Sequence, residues 1–173
     1  MANIKERTLV LLKPDAVQRN LVGEIVGRFE RVGLKIVAMK LVLPTEEQAL
    51  THYRINPDLP EKILNHLKAF LSASPVVALV LEGNKAIPVV RKLIGSTEPL
   101  KSDVGTIRGD YTIDSYDLAD ADARAVRNLV HASASESDAE KEIPVWFSPK
   151  ELVNYKTVRE KILYDVNLDG ILE

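Results

Sequence analysis

Four short apolar stretches, separated by segments of helical periodicity, leave this chain few folds to choose from. The first, Arg7-Thr-Leu-Val-Leu-Leu-Lys13, is a continuous apolar run suited to the middle of a sheet, and Lys13-Pro14-Asp15 ends it because proline cannot donate to a ladder. From Val22 to Val32 the residues Val22, Ile25, Val26 and Phe29 recur at helical spacing, and Gly33 stands where a helix stops. Leu34 to Leu43 alternates as a long strand, and Pro44-Thr45 followed by Glu46 and Glu47 starts a helix with Thr45 as its cap. Thr45 to Tyr53 and Pro60 to Leu71 read as a helical pair able to close over a ligand. Val76 to Leu81 is another buried strand. Asn84 to Ile94 is another amphipathic helix, with Val89, Val90, Leu93 and Ile94 on one side and Arg91 off that stripe.

The last strand brings a histidine. Leu129 and His131 alternate with Asn128 and Val130, so a short strand places the imidazole at its end, where a turn begins. Ser133 and Ser135 are good helix caps, Ser135 with Asp138 fits a capping box, and Glu136, Asp138 and Glu140 fill the first turns, where the macrodipole favours anions. Glu142 lies further along that helix, able to hold one ring nitrogen while the other acts as a nucleophile. On spacing alone, a structural hydrogen-bonded histidine is the commoner outcome. Between Gly109 and this strand, Thr112 to Val126 is polar and alanine-rich, which predicts a surface insert with a short helix capped at Asp117 or Asp120 and little share in a core, and its place between Arg108 and His131 puts it beside the active-site rim or a subunit contact. Ser148-Pro149 opens a further helix, and the tail to Glu173 carries no motif of its own.

With the helical pair set aside as an embellishment, the order is β-α-β-β-α-β. That predicts an α+β fold, an α/β sandwich of ferredoxin-like type, with a four-stranded antiparallel sheet carrying helices on one face, an extra helical hairpin and a C-terminal extension. The strand order does not follow from the pattern. A length of 173 residues with 46% hydrophobic content suits one core, hence one domain over residues 1–173. The net charge of −2 argues against nucleic acid or an anionic membrane as the main partner. Cysteine is absent, apolar runs such as Pro75 to Leu81 are too short to span a bilayer, and Met-Ala-Asn-Ile-Lys-Glu-Arg7 lacks the apolar core of a signal peptide, so a cytoplasmic location is expected. No Gly-x-x-x-x-Gly-Lys-Ser/Thr and no Gly-x-Gly-x-x-Gly occurs, so side chains rather than a glycine cradle would hold phosphate.

Asn128-Leu-Val-His131-Ala-Ser133-Ala-Ser135, followed by Ala-Glu-Lys-Glu142-Ile and Trp146-Phe147, resembles the active-site signature of nucleoside diphosphate kinases, Asn-x-x-His-Gly-Ser-Asp-Ser, with Ala132 in place of the glycine and Ala134 in place of the aspartate. Leu12-Lys-Pro-Asp-Ala-Val-Gln-Arg19 resembles the family's opening motif, and Gly105-Thr-Ile-Arg-Gly-Asp-Tyr111 is nearly the family's own. The resemblance implies transfer of a terminal phosphoryl group from a nucleoside triphosphate to a nucleoside diphosphate by a ping-pong route through phosphorylated His131. It implies that Glu142 orients the imidazole and that Lys13, Arg91 and Arg108 neutralise the phosphates. Thr97 and Asn128 would hold phosphate and sugar, and Tyr53 and Ser133 would line the reacting group. The family's base-gripping aromatic and leucine fall on Ile63 and Leu67, an apolar wall that separates bases poorly. Mg²⁺ would ride on the nucleotide phosphates rather than in a protein cage, the Pro99 loop would serve subunit contacts, and the chain would be a homo-oligomer, a hexamer or tetramer. Two other classes stay open at this point: a catalytically degenerate oligomeric nucleotide-binding module, which the alanines at 132 and 134 favour, and a regulatory nucleic-acid-binding protein.

Overall fold

The computed structural model describes residues 5–165 together with 167 and 169, so the reading of the first residues and of the end of the tail lies outside the described residues. The apolar runs become β1 (Lys5–Leu12), β2 (Lys35–Val42), β3 (Val76–Asn84) and β4 (Val130–Ala132). They form one sheet in the order β2-β3-β1-β4, every neighbouring pair antiparallel. The strand order is what the element order could not supply. The helices are α1 (Pro14–Gln18), α2 (Val22–Arg31), α3 (Glu46–Tyr53), α4 (Glu61–Ser72), α5 (Ala86–Ile94), α6 (Ile107–Tyr111), α7 (Tyr116–Ala121), α8 (Glu136–Trp146) and α9 (Glu160–Leu163).

Because side chains alternate along a strand, β1 feeds two cores at once. Val10 and Leu12 point to one face, where Ile25 and Phe29 of α2, Val90 and Ile94 of α5 and Ile107 of α6 close over them. Leu9 and Leu11 point to the other, against Ala49 and Tyr53 of α3, Leu64 and Leu71 of α4, and Trp146 of α8. The expectation of helices on one face is thereby corrected: the helical pair and α8 cover the second face, and residues 8–12 are accordingly buried on both sides of the sheet. Phe29 is fully buried, so Phe29→Ala would cost roughly 3–5 kcal/mol.

Local signals behave as their chemistry dictates. Thr45 caps α3 by accepting from the Gln48 N–H at 3.1 Å, and Gly33, at φ 92°, ends α2 where a Cβ would be strained. Other boundaries move. β3 continues past Leu81 to Asn84, and α5 starts at Ala86 after Lys85 turns left-handed at φ 50°. Ser148 and Glu151 close a capping box around a 3₁₀ turn, Pro149–Glu151, in place of a full helix. The insert helix α7 is capped by Ser115, which accepts from Leu118 N–H, rather than by Asp117 or Asp120. That insert is also less superficial than its composition suggests. Asp114 is buried and held in a two-pronged pair by Arg124 at 2.7 and 2.9 Å, it accepts from the Arg127 N–H, and Ala119, Ala125 and Val126 are buried beside it.

Candidate active site

Residues opposed across an antiparallel pair share a face of the sheet, and His131 is paired with Leu11. The imidazole therefore projects to the side covered by α3, α4 and α8. It sits in the middle of the three-residue β4 rather than at a strand end, because Leu129 is left-handed at φ 65° and is excluded from the ladder. A γ-turn forms there: the Val130 N–H donates to the Asn128 carbonyl at 2.7 Å, Asp15 accepts from Leu129 N–H at 3.0 Å, and the Lys13 N–H donates to the Leu129 carbonyl at 2.8 Å. Such a turn is strained, and these bonds hold it. They also bring the ends of β1 and β4 together.

Glu142 of α8 meets His131 Nε2 with Oε1 at 3.0 Å, and its Oε2 accepts from Ser133 Oγ at 2.6 Å. Ser133 Oγ in turn accepts from the Leu9 N–H at 3.1 Å, so the carboxylate is locked to the sheet. With Nε2–H donated to Glu142, the lone pair of neutral His131 is on Nδ1, the ring nitrogen left over. Around it opens a cleft of about 700 Å³. Lys13, Arg91 and Arg108 line it, with Thr97, Asn128, Tyr53, Ile63, Leu67, His131 and Glu142.

The cleft is built for negative charge. Lys13 is buried, and desolvation, then the neighbouring Arg108 charge, push its pKa down to about 8 against the smaller opposing pull of Asp15. Its ammonium donates to Asn128 Oδ1 at 2.8 Å, an amide rather than a carboxylate. Arg108 is pushed down to about 10, first by burial and then by the charge of Arg91. Its guanidinium is held by three carbonyl oxygens, of Asn128, Gly95 and Val130, at 3.0, 2.9 and 2.5 Å. Cations that depress one another are ready for an anion. Burial raises the Tyr53 hydroxyl pKa, and that hydroxyl has no hydrogen-bond partner among the described residues.

Of the residues singled out from the sequence, the cleft gathers all except Ser133. That residue is fully buried behind Glu142, to which its hydroxyl donates, and is not part of the lining. Ala132 packs in β4 opposite Val10 and neither it nor Ala134 has a positive φ, so the missing glycine costs the turn nothing; the left-handed residue is Leu129. Sequence reading missed His52, which is buried with its ring 4.4 Å from that of His131. The insert, expected beside the active-site rim or a subunit contact, supplies a wall of the cleft through Tyr116, Ala119, Arg124 and Val126. Adjacency of His52 to Tyr53 was the available hint.

Fold and site together define a class: a ferredoxin-like sandwich in which a histidine backed by a carboxylate opens into a cation-lined cleft. The family model described as nucleoside diphosphate kinase matches residues 6–152, and the chain belongs to that family. A nucleoside diphosphate kinase of Borreliella burgdorferi is 46% identical over 154 residues, 87% of this chain and 92% of the relative. One from Methanosphaera stadtmanae is 44% identical, covering 94% of this chain and 99% of the relative. Among solved structures, a Borrelia burgdorferi nucleoside-diphosphate kinase described as a transition-state mimic with bound vanadate and ADP superposes with a TM-score of 0.88 at 45% identity, covering 91% of this chain and 95% of the other. An NDP kinase from Pyrobaculum aerophilum gives a TM-score of 0.79 at 39% identity, covering 87% and 100%.

Proposed function

We propose that His131 Nδ1 takes the terminal phosphoryl group of a nucleoside triphosphate and passes it to a nucleoside diphosphate. As a member of its family the chain is an enzyme, a phosphotransferase acting between nucleotides. The observation that carries the assignment of His131 is the Glu142 Oε1 to His131 Nε2 bond at 3.0 Å, which leaves the opposite nitrogen nucleophilic beside Lys13 and Arg108. In the first half-reaction the bond from phosphorus to the bridging oxygen breaks, its electrons leave with the diphosphate, and an N–P bond forms at His131; the second half reverses this onto another diphosphate. Lys13, Arg91 and Arg108 offset the charge spread over the phosphoryl oxygens. Tyr53 supplies a hydroxyl, Thr97 and Asn128 hold phosphate and sugar, and Glu142 stabilises the imidazole through the transfer.

The donor set suits phosphate better than a bare cation. Glu142 is engaged by His131 and Ser133, Asp138 by Ser135, and Asp15 by Leu129 N–H. Mg²⁺ would accordingly be held by the nucleotide phosphates rather than by protein carboxylates, and would supply charge neutralisation there. Ile63 and Leu67 offer the base apolar contact, which supports a broad base range. Lys13, Arg108, Asn128 and His131 standing together around one cleft favours a working enzyme over a degenerate binding module, and the near-neutral charge gives a nucleic-acid regulator no support.

The proposal extends to a single domain, to the cytoplasm and to a homo-oligomer, a hexamer or tetramer. β2 is an outer strand of the sheet, and Met39, Leu41 and Leu43, alternating along it and just beyond, are all more than half exposed, a stripe that a second copy would cover. Among the described residues no helix is long and apolar enough to cross a membrane. Incubation with γ-labelled ATP tests the reading: an acid-labile, base-stable adduct discharged by a cold nucleoside diphosphate supports it, and absence of an adduct in a protein that turns over rejects the covalent route.

A further inference from the structure

His52, from the last turn of α3, is buried at 2% exposure, yet it lines the cleft. Its Nδ1 stands 3.3 Å from Trp146 Nε1. An indole nitrogen can only donate, so His52 Nδ1 must accept and the ring hydrogen of neutral His52 must be on Nε2. That Nε2 has no hydrogen-bond partner among the described residues. Leaving a buried donor unsatisfied is costly, and such an atom in a folded protein calls for a missing partner. The ring stands perpendicular to that of His131, at 87° and 4.4 Å between centroids, and Tyr53, whose hydroxyl is also unpartnered, is 5.0 Å away. Two orphaned donors beside the nucleophile match an incoming group rich in acceptor oxygens.

We propose that His52 is a catalytic residue of the transfer proposed above, a neutral imidazole whose Nε2–H, fixed by Trp146, donates to the phosphoryl group carried by His131. The inference rests on that reading of His131 and adds a donor to it. The proton stays on His52 throughout; only the N–P and P–O bonds exchange. Burial first, then the charges of His131 and Lys13, hold the pKa of His52 well below its ordinary value, so the donor is present in one form over the working range. The titratable groups around it are His131 from β4, Glu142 from α8, Tyr53 from α3 and Lys13 after β1.

A metal reading of the same place is weaker. Nitrogens of His52 and His131 and an oxygen of Glu142 lie within 4.8 Å of one another. Yet a histidine that binds metal through one nitrogen donates its other N–H to an acceptor, whereas here the other nitrogen is already met by a donor. His52 therefore has no lone pair to offer.

The test uses the full-length protein labelled with ¹⁵N, before and after phosphorylation with ATP and Mg²⁺. Imidazole correlation spectra should show His52 with Nε2 protonated and Nδ1 bare, unchanged between about pH 5 and 8, where an ordinary histidine titrates. Once the ³¹P spectrum shows phosphohistidine, the Nε2–H proton of His52 should move downfield as it gains its acceptor. His52→Ala should lower kcat roughly 10²-fold, the scale for one lost donor to transition-state charge. His52→Gln, which keeps an N–H, should recover part of that loss, and Trp146→Phe, which removes the donor that fixes the tautomer, should let the ring hydrogen of His52 move to Nδ1 and lower kcat. A His52 signal that ignores phosphorylation, in a protein that visibly carries phosphohistidine, overturns the proposal. Protonation on Nδ1 overturns it too. If no phosphohistidine forms at all, the reading of His131 fails and this inference falls with it.

Discussion

At the scale of single residues, Lys13 is a buried ammonium with no carboxylate salt-bridged to it among the described residues, and its pKa near 8 makes its charge a variable within the working range. The protonated form is the one that neutralises phosphate, so kcat/KM should fall as pH rises through about 8, while bound triphosphate raises the Lys13 pKa and moves the limb of kcat to higher pH. Lys13→Arg should remove the limb near pH 8, and a kcat/KM flat across that range in the parent enzyme would contradict the assignment. Because the folded pKa lies below its ordinary 10.5, charged Lys13 costs folding free energy, and that part of the stability is regained as pH climbs from about 8 to 10.5. The two arginines separate in a different way. Arg91 is exposed in the cleft wall, so Arg91→Ala should lower kcat/KM roughly 10²- to 10³-fold with melting temperature unchanged. Arg108→Ala should bring a comparable loss and also a lower melting temperature, since three carbonyl oxygens lose their donor. Steady-state kinetics beside thermal melts checks both, and an Arg91→Ala enzyme equal to the parent would make that arginine a solvated surface residue. His52 marks the limit of the sequence at this scale: adjacency to Tyr53 hints at the site, but the orphaned nitrogen that gives the residue its meaning is seen only in the fold.

At the scale of elements, strands and helices that follow from apolar periodicity were legible, β1, α2, β2 and α4 among them, because a buried face imposes its period on the sequence. What escaped depends on contacts distant in sequence. The insert's place beside the cleft was legible from its position in the chain, but not that Asp114 and Arg124, ten positions apart, close it into a clasp that also bonds Glu98 to the Tyr116 N–H. A salt bridge has no period, so composition alone hid it. The γ-turn at Leu129 was equally illegible, since leucine is not a residue that announces a positive φ. For the insert, replacing residues 115–123 by a short linker that leaves Asp114 and Arg127 in place should keep His131 phosphorylation and raise the KM for nucleotides, because a wall of the cleft is removed while the catalytic face of the sheet is untouched. Parallel assays of adduct formation and KM decide this, and an unfolded product would show that α7 belongs to the core.

At the scale of the whole molecule, the segment after the family match is tied back by charge. Lys35 meets Glu82 at 2.8 Å and Glu160 at 3.2 Å, Lys5 meets Glu160 at 3.0 Å, and Arg7 meets Glu82 at 2.8 Å, with Lys35 and both carboxylates buried. Although desolvation is the largest influence and opposes it, hydrogen bonds and charges from these cations hold both carboxyl groups below their ordinary values. Depressed carboxylates contribute stability above their unfolded pKa and lose it as pH falls, so acid should lower the melting temperature of the parent more than that of Glu160→Gln, and equal acid sensitivity would detach the network from stability. Assembly is a separate question, answered at the edge of β2: Leu41→Lys should shift the mass measured by light scattering towards a smaller species, while an unchanged mass would put the subunit contact elsewhere. The N–P bond formed at His131 is read directly in the ³¹P spectrum of the enzyme after exposure to ATP and Mg²⁺. A single phosphohistidine signal of the Nδ1 type is expected, discharged by added nucleoside diphosphate and absent from His131→Ala, whose turnover should drop by on the order of 10⁴-fold, about 5.5 kcal/mol in barrier. A His131→Ala enzyme that still forms the adduct, or keeps more than about a tenth of the parent's turnover where roughly 10⁴-fold loss is expected, would contradict the assignment of His131.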